Sequence, residues 1–147
     1  MTNQIEKTAE FKASVETVWD AITDHEKFGD WFKVKLYDPF VEGAVTRGQI
    51  TYPGYEHFKW ESRTTVIRPK VYFAFIWYHD NIEAEPGDVR LETLVEFKLK
   101  PTGTGTHLTI VESGFDSFPP GKGEQARLSN EGGWEEQMHN IGAFVDG

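Results

Sequence analysis

Glu112 is the side chain with the clearest chemical potential in this chain of 147 residues. It follows Leu108 and Ile110 in an alternating run, so it shares their face of a strand that looks inward. A carboxyl placed there loses its water, which suits a general acid or a hydrogen-bond donor to a bound molecule. The plainer and favoured reading is an acid held by a neighbouring base or amide for structural reasons. Arg127, seven residues before Trp134 and on the same helical face, is the candidate base. If the two pair, chemistry on a ligand becomes the weaker reading.

The remaining reactive types form no constellation. His25, His57, His79, His107 and His139 lack the close pairing of a zinc site, and no metal is expected. His79-Asp80, at a strand end, has the types for acid-base work but no third partner in sequence. No serine stands in a Gly-x-Ser-x-Gly elbow, and the chain has no cysteine. Neither Gly103-Thr104-Gly105 nor Gly121-Lys122-Gly123 has phosphate-loop spacing; the first reads as a hairpin, the second as a lead-in to a helix. No catalytic residue and no cofactor are assigned.

Aromatic side chains are the other resource, at 14% of the residues. The set Trp31, Phe32, Tyr52, Tyr55, Phe58, Trp60, Phe73, Phe75, Trp77, Phe115 and Trp134 fills an interior, and part of it lines a hollow if the sheet is curved. Trp31, Phe32, Trp60, Phe73, Phe75, Trp77, Glu112, Trp134 and Met138 are the expected cavity lining.

The element that must position them is the last one. In Gly123 to Val145, Trp134, Met138, Ile141 and Val145 recur at helical spacing, with Glu135, Glu136 and Asn140 opposite. Such a stripe needs a sheet to lie on. Gly132-Gly133 inside the pattern costs roughly 1 kcal/mol per residue against alanine, so a close approach to the sheet or a kink is expected there. Ahead of it, a strand at Gln4 to Phe11 leads into two short helices, 15–22 capped by Ser14 and 25–32 capped by Asp24. From there the period is two. Strands are expected at Lys35 to Asp38, Ala44 to Tyr52, His57 to Ile67, Lys70 to Tyr78, Val89 to Lys100 and Thr106 to Phe115. Turn residues such as Pro53-Gly54, Arg68-Pro69, Glu85-Pro86-Gly87-Asp88 and Thr102 to Gly105 separate them, which argues for an antiparallel meander.

The length suits one domain over 1–147, with a curved sheet of six or seven strands around one long helix. Fifteen basic against twenty-four acidic residues leave a formal charge of −9, which repels phosphate backbones and anionic lipid, so no nucleic acid and no membrane insertion are expected. No leader-like or membrane-spanning apolar run is present, and a cytoplasmic protein is expected.

VWDAITDHEKFGDWF, VIRPKVYFAFIW, TGTHLTIVESGFD and NEGGWEEQMHNI, taken together, resemble the homologues of the heat-shock protein 90 ATPase activator, within the START-like (SRPBCC) superfamily. The resemblance covers nearly the whole chain and implies an α+β helix-grip fold. That fold hosts lipid carriers, polyketide cyclases, hydrolases and chaperone partners. With the rings concentrated on the inferred concave faces, the expectation is binding of a small hydrophobic or aromatic molecule, lipid-like or polyketide-like, between sheet and helix. The alternatives are a cyclase or hydrolase using Glu112, and a co-chaperone with a chaperone partner. The eukaryotic co-chaperones carry an additional N-terminal domain that this sequence does not show, which weakens the case for ATPase activation.

Overall fold

A computed structural model describes residues 4–79 and 91–147. The turn expected at Glu85 to Asp88, the strand start at Val89, and Asp80 lie outside the described residues.

The alternation of the first segment produces β1 (Gln4–Phe11). Ser14 then caps α1 (Val15–Thr23), its Oγ accepting from the Thr17 amide at 3.3 Å. Asp24 closes α1 and opens α2 (His25–Phe32), its carboxylate taking the amides of Glu26 and Lys27 at 2.9 and 3.0 Å. The apolar faces of both helices turn inward, and Trp31 Nε1 donates to the Ala21 carbonyl at 2.8 Å, fixing one helix against the other.

Six strands follow: β2 (Val34–Leu36), β3 (Val45–Ile50), β4 (Lys59–Arg68), β5 (Tyr72–Tyr78), β6 (Glu92–Pro101) and β7 (Thr106–Ser113). The sheet order is β1-β7-β6-β5-β4-β3-β2, antiparallel throughout: a meander from β2 to β7, with β1 closing against β7 from Gln4↔Ser113 to Phe11↔Thr106. A bulge between Thr64 and Val66 shifts the β4–β5 register, a feature that bends and twists a strand. Helix α3 (Lys122–Asp146) lies on the sheet and buries Trp134, Met138 and Ile141. Its end is tied to the start of the chain, because Asp146 accepts from the amides of Lys12 and Ala13 at 3.1 and 2.9 Å. The whole is a helix-grip fold.

Expectations change at several places, and β2 runs Val34–Leu36 in place of the expected Lys35 to Asp38. Strand β7 stops at Ser113, because Gly114 (φ 104°) turns the chain, so Phe115 sits in a 3₁₀ turn (Phe115–Ser117). Strands β3 and β4 are shorter than their alternation suggested. Between them 51–58 folds into turns, with the amides of Tyr55 and Phe58 donating to the carbonyls of Tyr52 and Tyr55. The Gly132-Gly133 pair marks no close approach, since a methyl group built on either meets nothing within 4 Å and α3 runs unbroken through it. The tight contact lies elsewhere on the helix, at Gly123, where a methyl would collide with the carbonyl of Phe115 in the 3₁₀ turn.

Candidate functional site

A groove of about 730 Å³ opens between α3 and the β3–β5 side of the sheet. Its wall is aromatic. Phe32 comes from the end of α2, Trp60 from β4, Trp77 from β5 and Trp134 from α3. Alternation aims Trp60 and Trp77 at the same face of neighbouring strands, where their rings lie 5.0 Å apart; Phe32 stands 5.2 Å from Trp60 and 6.0 Å from Trp134. Tyr52, Tyr55 and Phe58 of the 51–58 turns continue this wall towards solvent.

The rim is polar. Gln125, Ser129, Asn130, Gln137 and Asn140 of α3 line it, so the hydrophilic side of the helix faces the groove mouth as well as bulk water. Gln137 Nε2 donates to the Phe32 carbonyl at 3.2 Å, and Asn140 Nδ2 to Gln137 Oε1 at 3.0 Å. Tyr52 Oη donates to Glu136 Oε1 at 3.4 Å, reaching from the turn segment to the helix.

At the inner end stands Glu112, 0% exposed. Its Oε1 accepts from Trp134 Nε1 at 2.8 Å and from Asn130 Nδ2 at 3.1 Å, and its Oε2 accepts from the Thr93 hydroxyl at 2.5 Å. His79 Nε2 is 2.8 Å from Thr93 Oγ1 and 3.5 Å from Glu112 Oε2. The buried carboxylate thus has donors on both oxygens, as a buried charge-bearing group requires. It joins β7 to β6 through Thr93 and to α3 through Asn130 and Trp134. Three of the groove's lining residues, His79, Asn130 and Trp134, are Glu112's own neighbours.

Of the expected lining, Phe32, Trp60, Trp77 and Trp134 meet in the groove. Trp31, Phe73 and Phe75 are packed elsewhere, in a ring cluster centred on Phe28, because α2 fills that end of the concave face. Met138 faces a second, smaller groove of about 570 Å³ between β1 and the end of α3. Glu112 sits behind the wall, screened by its partners.

The proposed Arg127 partnership is corrected: Arg127 pairs along its own helix with Glu124 and Glu131 at 4.0 and 3.9 Å, and none of the hydrogen bonds to Glu112 comes from it. A helix turns about 100° per residue, and Asn130, one turn before Trp134, takes the place assigned to the arginine. That spacing was the signal for Asn130. Thr93 could have been found as the one hydroxyl in the inward series Leu91, Thr93, Val95, Phe97, Leu99. Among the histidines, His79 alone reaches this site; His107 contacts Glu10 at 3.3 Å, His57 stacks near Phe58, His25 begins α2, and His139 lines the second groove. Among the described residues no group of three or more His, Asp or Glu could hold a metal ion.

A family model described as "Activator of Hsp90 ATPase homolog 1-like protein" matches residues 12–146. No curated protein sequence matches. Solved structures do. A protein from Mesorhizobium loti superposes with a TM-score of 0.79 at 21% identity, covering 97% of this chain and 96% of that one. One from Chromobacterium violaceum gives 0.77 at 19%, covering 100% and 99%, and one from Bacillus halodurans gives 0.74 at 22%, covering 98% and 97%. At such identities the likeness concerns the fold.

Proposed function

The chain belongs to the Activator of Hsp90 ATPase homolog 1-like family, and on that premise we propose that it binds a small, largely apolar or aromatic molecule in the groove between its sheet and α3. The observation that carries this reading is the wall of Phe32, Trp60, Trp77 and Trp134 beneath a rim of side-chain amides. Small-molecule sites have this make-up, and about 730 Å³ lies within their usual size range. A cytoplasmic location is part of the same proposal.

The test is a panel of lipids, polyketides and flavonoids, followed by thermal unfolding and tryptophan emission. A ligand at 100 times its dissociation constant stabilises by about 2.7 kcal/mol, or roughly 5–10 °C for a domain of this size. Three of the five tryptophans line the groove, so bound aromatic molecules should quench emission. A panel that moves neither signal removes the proposal.

The family match favours one further reading, contact with a chaperone of the Hsp90 type. Its test is co-purification of the two proteins, and groove substitutions should leave such a complex intact. Acid-base work by Glu112 itself is not favoured, because the carboxylate has no exposed surface and meets the groove only through its partners.

A further inference from the structure

We infer that the groove selects aromatic molecules carrying a hydroxyl or N–H donor, and that His79 Nδ1 is the acceptor selecting them; this rests on the groove reading above. The direction of the hydrogen-bond chain behind the wall supplies the argument. Trp134 Nε1 and Asn130 Nδ2 have hydrogens to give and no lone pair to offer, so Glu112 accepts from both. The Thr93 hydroxyl has one hydrogen, and it is spent on Glu112 Oε2 at 2.5 Å. At the 2.8 Å contact with His79 the threonine oxygen must therefore accept, and Nε2 must carry the hydrogen.

In a neutral imidazole the other nitrogen is then a bare acceptor. No hydrogen bond joins Nδ1 to a described residue. The two nitrogens lie on different edges of the ring. With the Nε2 edge committed to Thr93, the Nδ1 edge remains for the groove that His79 lines. The ring itself is held among Trp77 and Phe118, each 5.3 Å away, so it cannot readily swing to another partner. An acceptor at the groove with no partner among the described residues is open to a ligand that supplies a donor, which adds one hydrogen bond to the ring contacts. An aromatic ring against Trp77 and Trp134 with a hydroxyl or N–H at its edge meets both demands.

The experiment compares 2-naphthol, its methyl ether 2-methoxynaphthalene, and 2-acetonaphthone by equilibrium dialysis against the full chain, His79→Phe and Glu112→Gln. The ether keeps ring and oxygen but has no donor. The parent should bind 2-naphthol about fivefold to tenfold more tightly than the ether. His79→Phe should bind the two alike. In Glu112→Gln the amide oxygen stays with Trp134 and Asn130, and the amide nitrogen faces Thr93. The threonine hydroxyl then turns to donate to Nε2, the proton moves to Nδ1, and the acceptor 2-acetonaphthone should overtake 2-naphthol. A parent protein that binds naphthol and ether equally overturns the inference and leaves the groove reading standing, as does a naphthol preference that survives in His79→Phe. Failure of all three probes to bind overturns the inference, and the lipid, polyketide and flavonoid panel then decides the groove reading separately. His79→Phe decides alone if Glu112→Gln does not fold.

Discussion

Trp134 shows how one side chain serves packing and the site together. It is 2% exposed, has ring neighbours in Phe32, Trp77 and Phe97 at 6.0–6.1 Å, and donates to the buried Glu112. From its position in the stripe alone, truncation to alanine belongs at the low end of roughly 3–5 kcal/mol, because a ring bordering a groove loses fewer contacts. The hydrogen bond moves that expectation upward, since truncation also leaves Glu112 Oε1 short of a donor inside the protein. Trp134→Phe separates the two contributions: it keeps most of the ring and should still cost about 1–3 kcal/mol in urea unfolding. A change within about 0.5 kcal/mol, the range of ordinary surface substitutions, would show that Glu112 Oε1 is satisfied without the indole donor. Tyr72 offers a pH-dependent case. Burial, reinforced by a 2.6 Å hydrogen bond to Glu96, pushes its phenol up to about 12 from 10.0. Between those values the folded chain holds a proton that the unfolded chain has released, so stability is fully present below about pH 10 and falls as pH rises towards 12. Ultraviolet titration of phenolate should find one late tyrosine that disappears in Tyr72→Phe.

At the scale of the element, α3 carries two kinds of glycine. Gly132 has open space around its would-be methyl, and its backbone is ordinary helix, so Gly132→Ala should stabilise by about 0.4–1 kcal/mol. Gly123 sits against the Phe115 carbonyl, and a methyl there must push backbone aside; Gly123→Ala should lower the melting temperature while Gly132→Ala raises it. Two variants that move in the same direction would contradict this placement of the helix. The sequence made α3 legible through its stripe but could not say which glycine packs tightly against a neighbouring segment, because helical periodicity reports the buried face and not the distance across it. The 51–58 turns pose the same difficulty. Tyr52 and Phe58 have strand-like neighbours, and the ends of the segment do bond outward, the Thr51 amide to the Lys33 carbonyl and the Ile50 amide to the Phe58 carbonyl. Between them the Tyr55 and Phe58 amides turn back onto Tyr52 and Tyr55. Strand propensity depends on a partner strand being present along the run, and here the turns interrupt it.

For the whole molecule, the sheet order predicts a gradient of local stability. Phe73, Phe75, Val95, Phe97, Leu108 and Ile110 of β5 to β7 are all 0% exposed, whereas β2 is a three-residue edge strand. Amide exchange should be slowest in β5 to β7 and fastest in β2 and 51–58, and a groove ligand should slow exchange in 51–58 and the middle of α3. Ligand protection confined to the β1 side of α3 would place the binding site in the second groove instead. The sequence by itself determined the succession of elements, the caps at Ser14 and Asp24, the inward faces of the strands and of α3, and the inward placement of Glu112, since each follows from periodicity or local hydrogen bonding within a few residues. The tertiary structure decided which inward aromatics border open space and which are packed solid, because that depends on where α2 and α3 come to rest on the sheet. It also decided that Glu112 answers to Thr93, Asn130, Trp134 and His79 and not to Arg127. Thr93 and His79 lie 19 and 33 positions from Glu112 in the chain, and only strand pairing brings the threonine donor and the histidine behind it to one carboxylate.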